Sequence, residues 1–238
     1  DPGPEVDTSI VLPPKPSPAD SVCDLQLVVG TGSDGSMDDL EFSDPSEFQA
    51  LPNLRQADGR DGSWSWYPQD VVAEVVEDPT DPTNHVMHFS TTAGTNEYAG
   101  LTLAFLGGNG AGACYDASAY TGLRFRIMGT ASADDQGWGL ADIVVVSFVT
   151  AATQSQTFGG DATGAMGHFN YNANIAAAAT SWITVEIPFP SVANAPWDCA
   201  SYPDECPASL PVDEMQAIDW GVQTGQAVDI YIDDVELY

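Results

Sequence analysis

Aromatic rings standing near carboxylates and amides are what this 238-residue chain offers for chemistry. A sugar ring is held by a flat aromatic face against its C–H surface, while carboxylates or amides take its hydroxyls. Trp64, Trp66 and Tyr67, following Gly59-Arg60-Asp61-Gly62, form the tightest such group in the sequence. Trp64 and Trp66 alternate, so they share one face of a strand. That face points either at a ligand or into the core, and the sequence leaves both readings standing. Trp138, inside Gly137-Trp138-Gly139 after Asp134-Asp135, reads as a loop aromatic suited to binding. His168, Phe169 and Tyr171 make a third set, and Trp182, Trp197 and Trp220 are assigned to packing.

Catalysis asks for more. Glycosidases use two carboxylates at a set separation, and with 35 Asp and Glu no spacing singles out a pair. His85, His88 and His168 do not form a zinc-protease helix signature, and His85 and His88, three apart in a strand, face opposite sides. Gly-x-Ser-x-Gly is absent, and no Gly-rich phosphate loop precedes a helix. A His/Tyr pair such as His168 and Tyr171 would suit lyase chemistry. No catalytic residue is assigned.

Charge narrows the partners. Five Lys and Arg face 35 Asp and Glu, a formal net charge of −30, with Lys15 the only lysine. Such a field repels phosphate backbones and anionic membrane surfaces, which argues against nucleic acid and membrane partners. The carboxylates form a hydrated acidic surface, or some of them hold Ca²⁺. No apolar run approaches a membrane span, and a start at Asp rather than Met fits an exported chain whose signal has been removed. Cys23, Cys114, Cys199 and Cys206 allow three pairings. Cys199 and Cys206 bracket a Pro-containing loop and are paired, which leaves Cys23 with Cys114. Disulfides suit an extracellular protein.

The elements that must position these groups are strands. Gly, Pro, Asn and Asp clusters recur between short apolar runs, the signature of an all-β protein. Residues 1–22 hold six prolines and one strand-like patch, Thr8–Leu12, and read as an arm or linker. Residues 23–238 read as one domain. Strands are expected at Asp24–Val29, Met37–Phe42, Trp64–Trp66, Val71–Val76 and Val86–Phe89, and around Leu101–Phe105 and Leu123–Ile127. Ile143–Val149 reads as a central strand buried on both sides; Ile183–Phe189 and Ile218–Val222 alternate. Residues 150–180 and 190–211 read as long loops. In the last strand Val228, Ile230 and Ile232 fall out of phase with Val235 and Leu237. A β-bulge at Asp233-Asp234 or burial of both faces would account for that.

Four stretches together resemble the galactose-binding-like jelly-roll carbohydrate-binding modules, in particular the β-glucan-binding family eleven. They are Met37-Asp38-Asp39-Leu40-Glu41-Phe42, the turn and strand Tyr115–Phe125, Ser181–Phe189 with its Trp-x-x-x-x-Ile-Pro-Phe spacing, and Ile230–Leu237. The resemblance implies an all-β jelly-roll β-sandwich of two antiparallel sheets. It also implies a structural calcium held by Glu41 and Asp233, with Asp39 as a further ligand. The function it implies is non-catalytic extracellular polysaccharide binding. Two alternatives remain: a structural subunit that assembles with other copies of itself through residues 1–22, and a jelly-roll glycan lyase or hydrolase.

Overall fold

The computed structural model describes Cys23 and residues 27–37, 58–67, 71–91, 98–106, 113–132, 141–162, 167–175, 180–192, 206–223 and 226–238. The expected arm at 1–22 lies outside them. The described elements are β-strands joined by turns and short 3-10 segments: β1 Leu27–Val29, β2 Trp64–Tyr67, β3 Val72–Asp78, β4 Asp81–Thr91, β5 Tyr98–Ala104, β6 Cys114–Asp116, β7 Gly122–Ala131, β8 Ile143–Thr150, β9 Phe169–Asn174, β10 Ile183–Pro188, β11 Met215–Gln223 and β12 Val228–Leu237.

Two sheets result, a jelly-roll β-sandwich. The five-stranded sheet runs β10-β7-β12-β4-β3. In the seven-stranded sheet β11 lies between β5 and β8; β2 extends it beyond β5 and β9 beyond β8, with β6 and β1 continuing from the start of β11. Pairing is antiparallel except between β1 and β6, which run parallel. The core is built from alternate residues of both sheets, among them Leu101, Leu103, Phe125, Ile127, Val146, Phe148, Ile218, Trp220, Ile230 and Ile232. Trp220 is fully buried, with Trp64 tilted against it and Phe125 edge-on, both at 5.5 Å between ring centres.

The phase break in β12 is a bulge. The register against β7 shifts between Asp233 and Glu236, and Asp234 takes a positive φ of 51°. Val235 and Leu237 thereby return to the core beside Ile230 and Ile232, so burial of both faces does not explain the pattern. Asp234 is left exposed. β8 is interior to its sheet, yet only its Val144, Val146 and Phe148 side enters the core; Ile143 and Val145 are half-buried on the other side.

The Gly-rich segment after β1 is stitched to the last strand: Leu237 N donates to Gly35 O, and Met37 N to Val235 O. Gly35 lies so close that an added Cβ would stand 1.7 Å from the Leu237 carbonyl oxygen. A buried network holds the same segment from below. Arg60 donates to the Asp34 and Ser36 carbonyls at 2.7 and 2.9 Å and to the Tyr115 hydroxyl at 2.9 Å. Asp58 accepts from Thr31 N, Gly32 N and the Tyr115 and Tyr120 hydroxyls. Burial opposes ionisation of Asp58, but hydrogen bonds from Thr31, Tyr120 and Gly32 hold it far below the usual carboxylate range. Cys23 and Cys114 are joined by a disulfide. Cys206 is also disulfide-bonded, while Cys199 lies outside the described residues.

Candidate functional site

The outer face of the seven-stranded sheet gathers the groups that sugar chemistry needs. Registers place Ser65, Thr102, Asp219, Ser147 and Asn170 side by side across β2, β5, β11, β8 and β9. Each alternates with core residues on its own strand, so this row points away from the sandwich interior. The next row along the strands is Tyr67, Gly100, Gly221, Val145 and Asn172. Two adjacent glycines on β5 and β11 thus leave a hollow between Tyr67 and Val145.

Tyr67 fills the near side of that hollow. Its hydroxyl donates to Asp219 Oδ2 at 2.7 Å, reaching from β2 across β5 to β11. The ring therefore lies along the sheet, over Gly100, where an added Cβ would come within 2.5 Å of the Tyr67 hydroxyl. The ring remains 40% exposed. Thr102 Oγ1 donates to Asp219 Oδ1 at 2.8 Å, and Ser147 Oγ to Asn170 Oδ1 at 2.8 Å. Asp219 is only 7% exposed. Burial pushes its pKa up to about 6, against the hydrogen bonds from Tyr67 and Thr102 that favour the carboxylate. Burial and the Asp219 charge together raise the Tyr67 phenol above its ordinary range, so it stays protonated.

One end of this face is walled. The register shift between Met215 and Ala217 puts an extra residue in β11, and with Met215 and Ile218 both inward, Gln216 joins Ala217 on the outer side. Gln216 Nε2 donates to Gly159 O at 2.9 Å, at the end of the 3-10 turn Gln156–Phe158. The long segment expected after β8 thus folds back as a turn beside the face. Phe158 is 67% exposed on that turn.

The residues singled out in the sequence fall in several places. Tyr67 lies on the outer face. Trp64 is 3% exposed in the core, so it is not open to a ligand. Trp66 shares its side of β2, but at the sheet edge it is 38% exposed. Tyr171 pairs with Val146 and packs against the core, and Phe169 is buried; it is their neighbours Asn170 and Asn172 that face outward. His168 precedes β9, half-buried, with Nε2 3.2 Å from Gln154 Oε1, and burial lowers its pKa. Trp138, Glu41 and Asp39 lie outside the described residues. Asp219, Thr102, Ser147 and the β9 asparagines were not singled out. Their signals are a lone carboxylate between Ile218 and Trp220, and the alternation of Asn170-Tyr171-Asn172-Ala173-Asn174.

Asp233 belongs to the other sheet. Its Oδ2 accepts from Asn84 Nδ2 at 2.9 Å and pairs with Arg126, while its Oδ1 is buried without a hydrogen-bond partner. Arg126 also contacts Asp234 at 2.6 Å and lies over the Trp182 ring at 4.8 Å. Trp182 Nε1 in turn donates to the buried Asp78 carboxylate. Arg124 pairs with Glu236 and, at 3.5 Å, with Glu186. Arg124, Arg126, Glu186, Asp234 and Glu236 line a cleft of about 450 Å³. Its two guanidinium groups are engaged by carboxylates, so the cleft offers no unpaired cation to a ligand. Among the described residues no cluster of three or more His, Cys, Asp or Glu could hold a metal.

No family model and no curated protein matches the chain. Solved structures do. The family 11 carbohydrate-binding module of Clostridium thermocellum, in complex with a β-1,3-1,4-mixed-linked tetrasaccharide, matches at TM-score 0.50 and 19% identity, covering 86% of this chain and 95% of its own. The same family's module from the cellulosomal cellulase Lic26A-Cel5E of that organism matches at TM-score 0.49 and 20% identity, over 80% and 90%. A family 30 module of another Clostridium thermocellum cellulosomal cellulase matches at TM-score 0.46 and 12% identity, over 74% and 86%. The chain thus has the jelly-roll fold of the family 11 carbohydrate-binding modules.

Proposed function

We propose that this chain is a non-catalytic polysaccharide-binding module working outside the cell, with glycan held on the outer face of the seven-stranded sheet. The observation that carries this reading is Tyr67, an exposed ring laid over Gly100 beside a row of hydroxyl, carboxyl and amide groups. Such a ring accepts the C–H face of a sugar, and the polar row takes its hydroxyls. The solved modules of the same fold supply the substrate class, and the Cys23–Cys114 disulfide suits an oxidising compartment. No described helix is long and apolar enough to cross a membrane. Affinity electrophoresis on β-glucans, xylans and algal polysaccharides tests the reading. Retardation on at least one is expected, and none on any would overturn it.

Structural calcium belongs to the same reading and attaches to Asp233. A buried, unpartnered carboxylate oxygen suits a hard cation. Glu41 and Asp39 would supply the remaining carboxylates. Bound there, the ion supplies charge compensation and rigidity. Chelation is expected to lower the melting temperature by several degrees, an effect abolished in Asp233→Asn. Equal melting in chelator and in millimolar Ca²⁺ would remove calcium from the account.

A further inference from the structure

Within the two central rows of this face, Asp219 is the one ionisable side chain besides Tyr67. Among the described residues of β2, β5, β8, β9 and β11 that face outward, Asp219 is the only Asp, Glu, His, Lys or Arg. On β5 it meets Thr102 and Gly100, on β2 Ser65 and Tyr67, and on β8 Ser147 and Val145. Tyr67 is the one titratable group among these neighbours, and its phenol stays protonated.

A hydroxyl has a single proton to give. Tyr67 gives its proton to Asp219 Oδ2 and Thr102 gives its proton to Asp219 Oδ1. Ser147 likewise gives its proton to Asn170 Oδ1. Three hydroxyl oxygens on this face therefore present only lone pairs outward. A ligand must bring O–H donors to meet them. The same lone pairs and the carboxylate repel a uronate or a sulfate, and no described lysine or arginine on this face offsets that repulsion.

We infer that Asp219 sets the hydrogen-bond polarity of this face: ionised, it turns Tyr67 and Thr102 into acceptors that read the hydroxyls of a neutral glycan, and protonated, it undoes that arrangement and weakens binding. This deepens the polysaccharide-binding reading and rests on it. A proton taken from solvent makes the carboxyl a donor. One of the two facing hydroxyls must then accept instead, and its own proton turns outward into a position that held an acceptor. The ligand hydroxyl bound there meets a donor where it needs an acceptor. The raised pKa of the buried carboxyl puts this change in the mildly acidic range.

The test measures affinity for two neutral polysaccharides, mixed-linkage β-glucan and xylan, and for the anionic polysaccharide alginate, from about pH 4.5 to about pH 7.5. The chain and its Asp219→Asn variant are compared, while the ¹³Cζ shift of Tyr67 is followed by NMR without ligand. The expected result has three parts. Affinity for a neutral polysaccharide drops about tenfold at the acidic end, the Tyr67 signal titrates with the same midpoint, and both changes vanish in Asp219→Asn. Alginate is expected not to bind at neutral pH. A flat Tyr67 signal overturns the inference whatever binds, and it needs only the unaltered chain. Retardation on a neutral polysaccharide that ignores pH, or tight alginate binding at neutral pH, overturns the inference and leaves the polysaccharide reading intact. Absence of retardation at every pH overturns both.

Discussion

Asp219 and Asp78 are both buried carboxyls, yet they titrate in opposite directions. Four hydrogen-bonding contacts, from Thr80 N, Thr80 Oγ1, Asn84 and Trp182, outweigh burial at Asp78 and lower its pKa. Its stabilising contribution is present above the ordinary carboxylate pKa and is lost as pH falls. At Asp219 burial wins, and the pKa rises from 3.8 to about 6. A raised pKa favours the protonated folded form, so this contribution is full below about pH 4 and is lost as pH rises through about 6. A gap of about two units corresponds to roughly 3 kcal/mol. Asp219→Asn is therefore expected to gain stability relative to the parent on going from about pH 4 to about pH 7, by up to roughly 3 kcal/mol. Urea unfolding at both pH values measures the difference, and an unchanged gap between the two proteins would refute it. Tyr67→Ala is expected to weaken glycan binding about tenfold or more with little change in melting, because the side chain lies outside the core. At this scale the sequence was partly legible. Tyr67 was visible as an aromatic beside a turn. Asp219 was not, because one carboxylate among 35 becomes notable only when Thr102 and Tyr67, 117 and 152 residues away, are brought to it.

At the scale of elements, alternation marked the strands whose two sides differ. Leu101, Leu103 and Phe105 all enter the core, as their spacing implies, and Arg124 and Arg126 stand together on the outer side of β7. The short β6, and its parallel pairing with β1, left no trace, because three residues carry too little periodicity. β9 was hidden in a stretch rich in Gly, Ala and Asn, since its core side is only Phe169, Tyr171 and Ala173. The bulge in β12 gives a sharp prediction. Deleting Asp234 removes the extra residue and leaves a strictly alternating strand with Val235 and Leu237 still on the core side, so the expected loss is no more than about 1 kcal/mol. Denaturant unfolding of the deletion variant checks this, and a loss of roughly 3 kcal/mol or more, the scale of turning two aliphatic side chains out of the core, would refute it. Arg60→Met is expected to cost about 2–4 kcal/mol, because the Asp34 and Ser36 carbonyls lose their shared donor.

Over the whole molecule, the −30 charge and the disulfide act on stability from opposite sides. Self-repulsion among carboxylates opposes compactness and is screened by salt. Melting temperature is expected to rise between about 0.05 and 0.5 M NaCl, and a fall would show that ion pairs such as Arg126–Asp233 dominate instead. The Cys23–Cys114 bridge spans 91 residues of sequence, a long loop closed in the unfolded chain. Its reduction is expected to cost about 2–5 kcal/mol, measurable as a drop in the urea midpoint.

The position of β12 bears on how the chain comes into being. It is the last of the described strands in chain order, and it lies between β7 and β4 in its sheet. Its backbone also receives the Gly-rich segment after β1. Until residues 228–237 are available, two strands keep bare edges toward each other and the core stays open on one side. The five-stranded sheet is complete only once that strand is in place. That dependence exposes any chain halted short of that strand to aggregation.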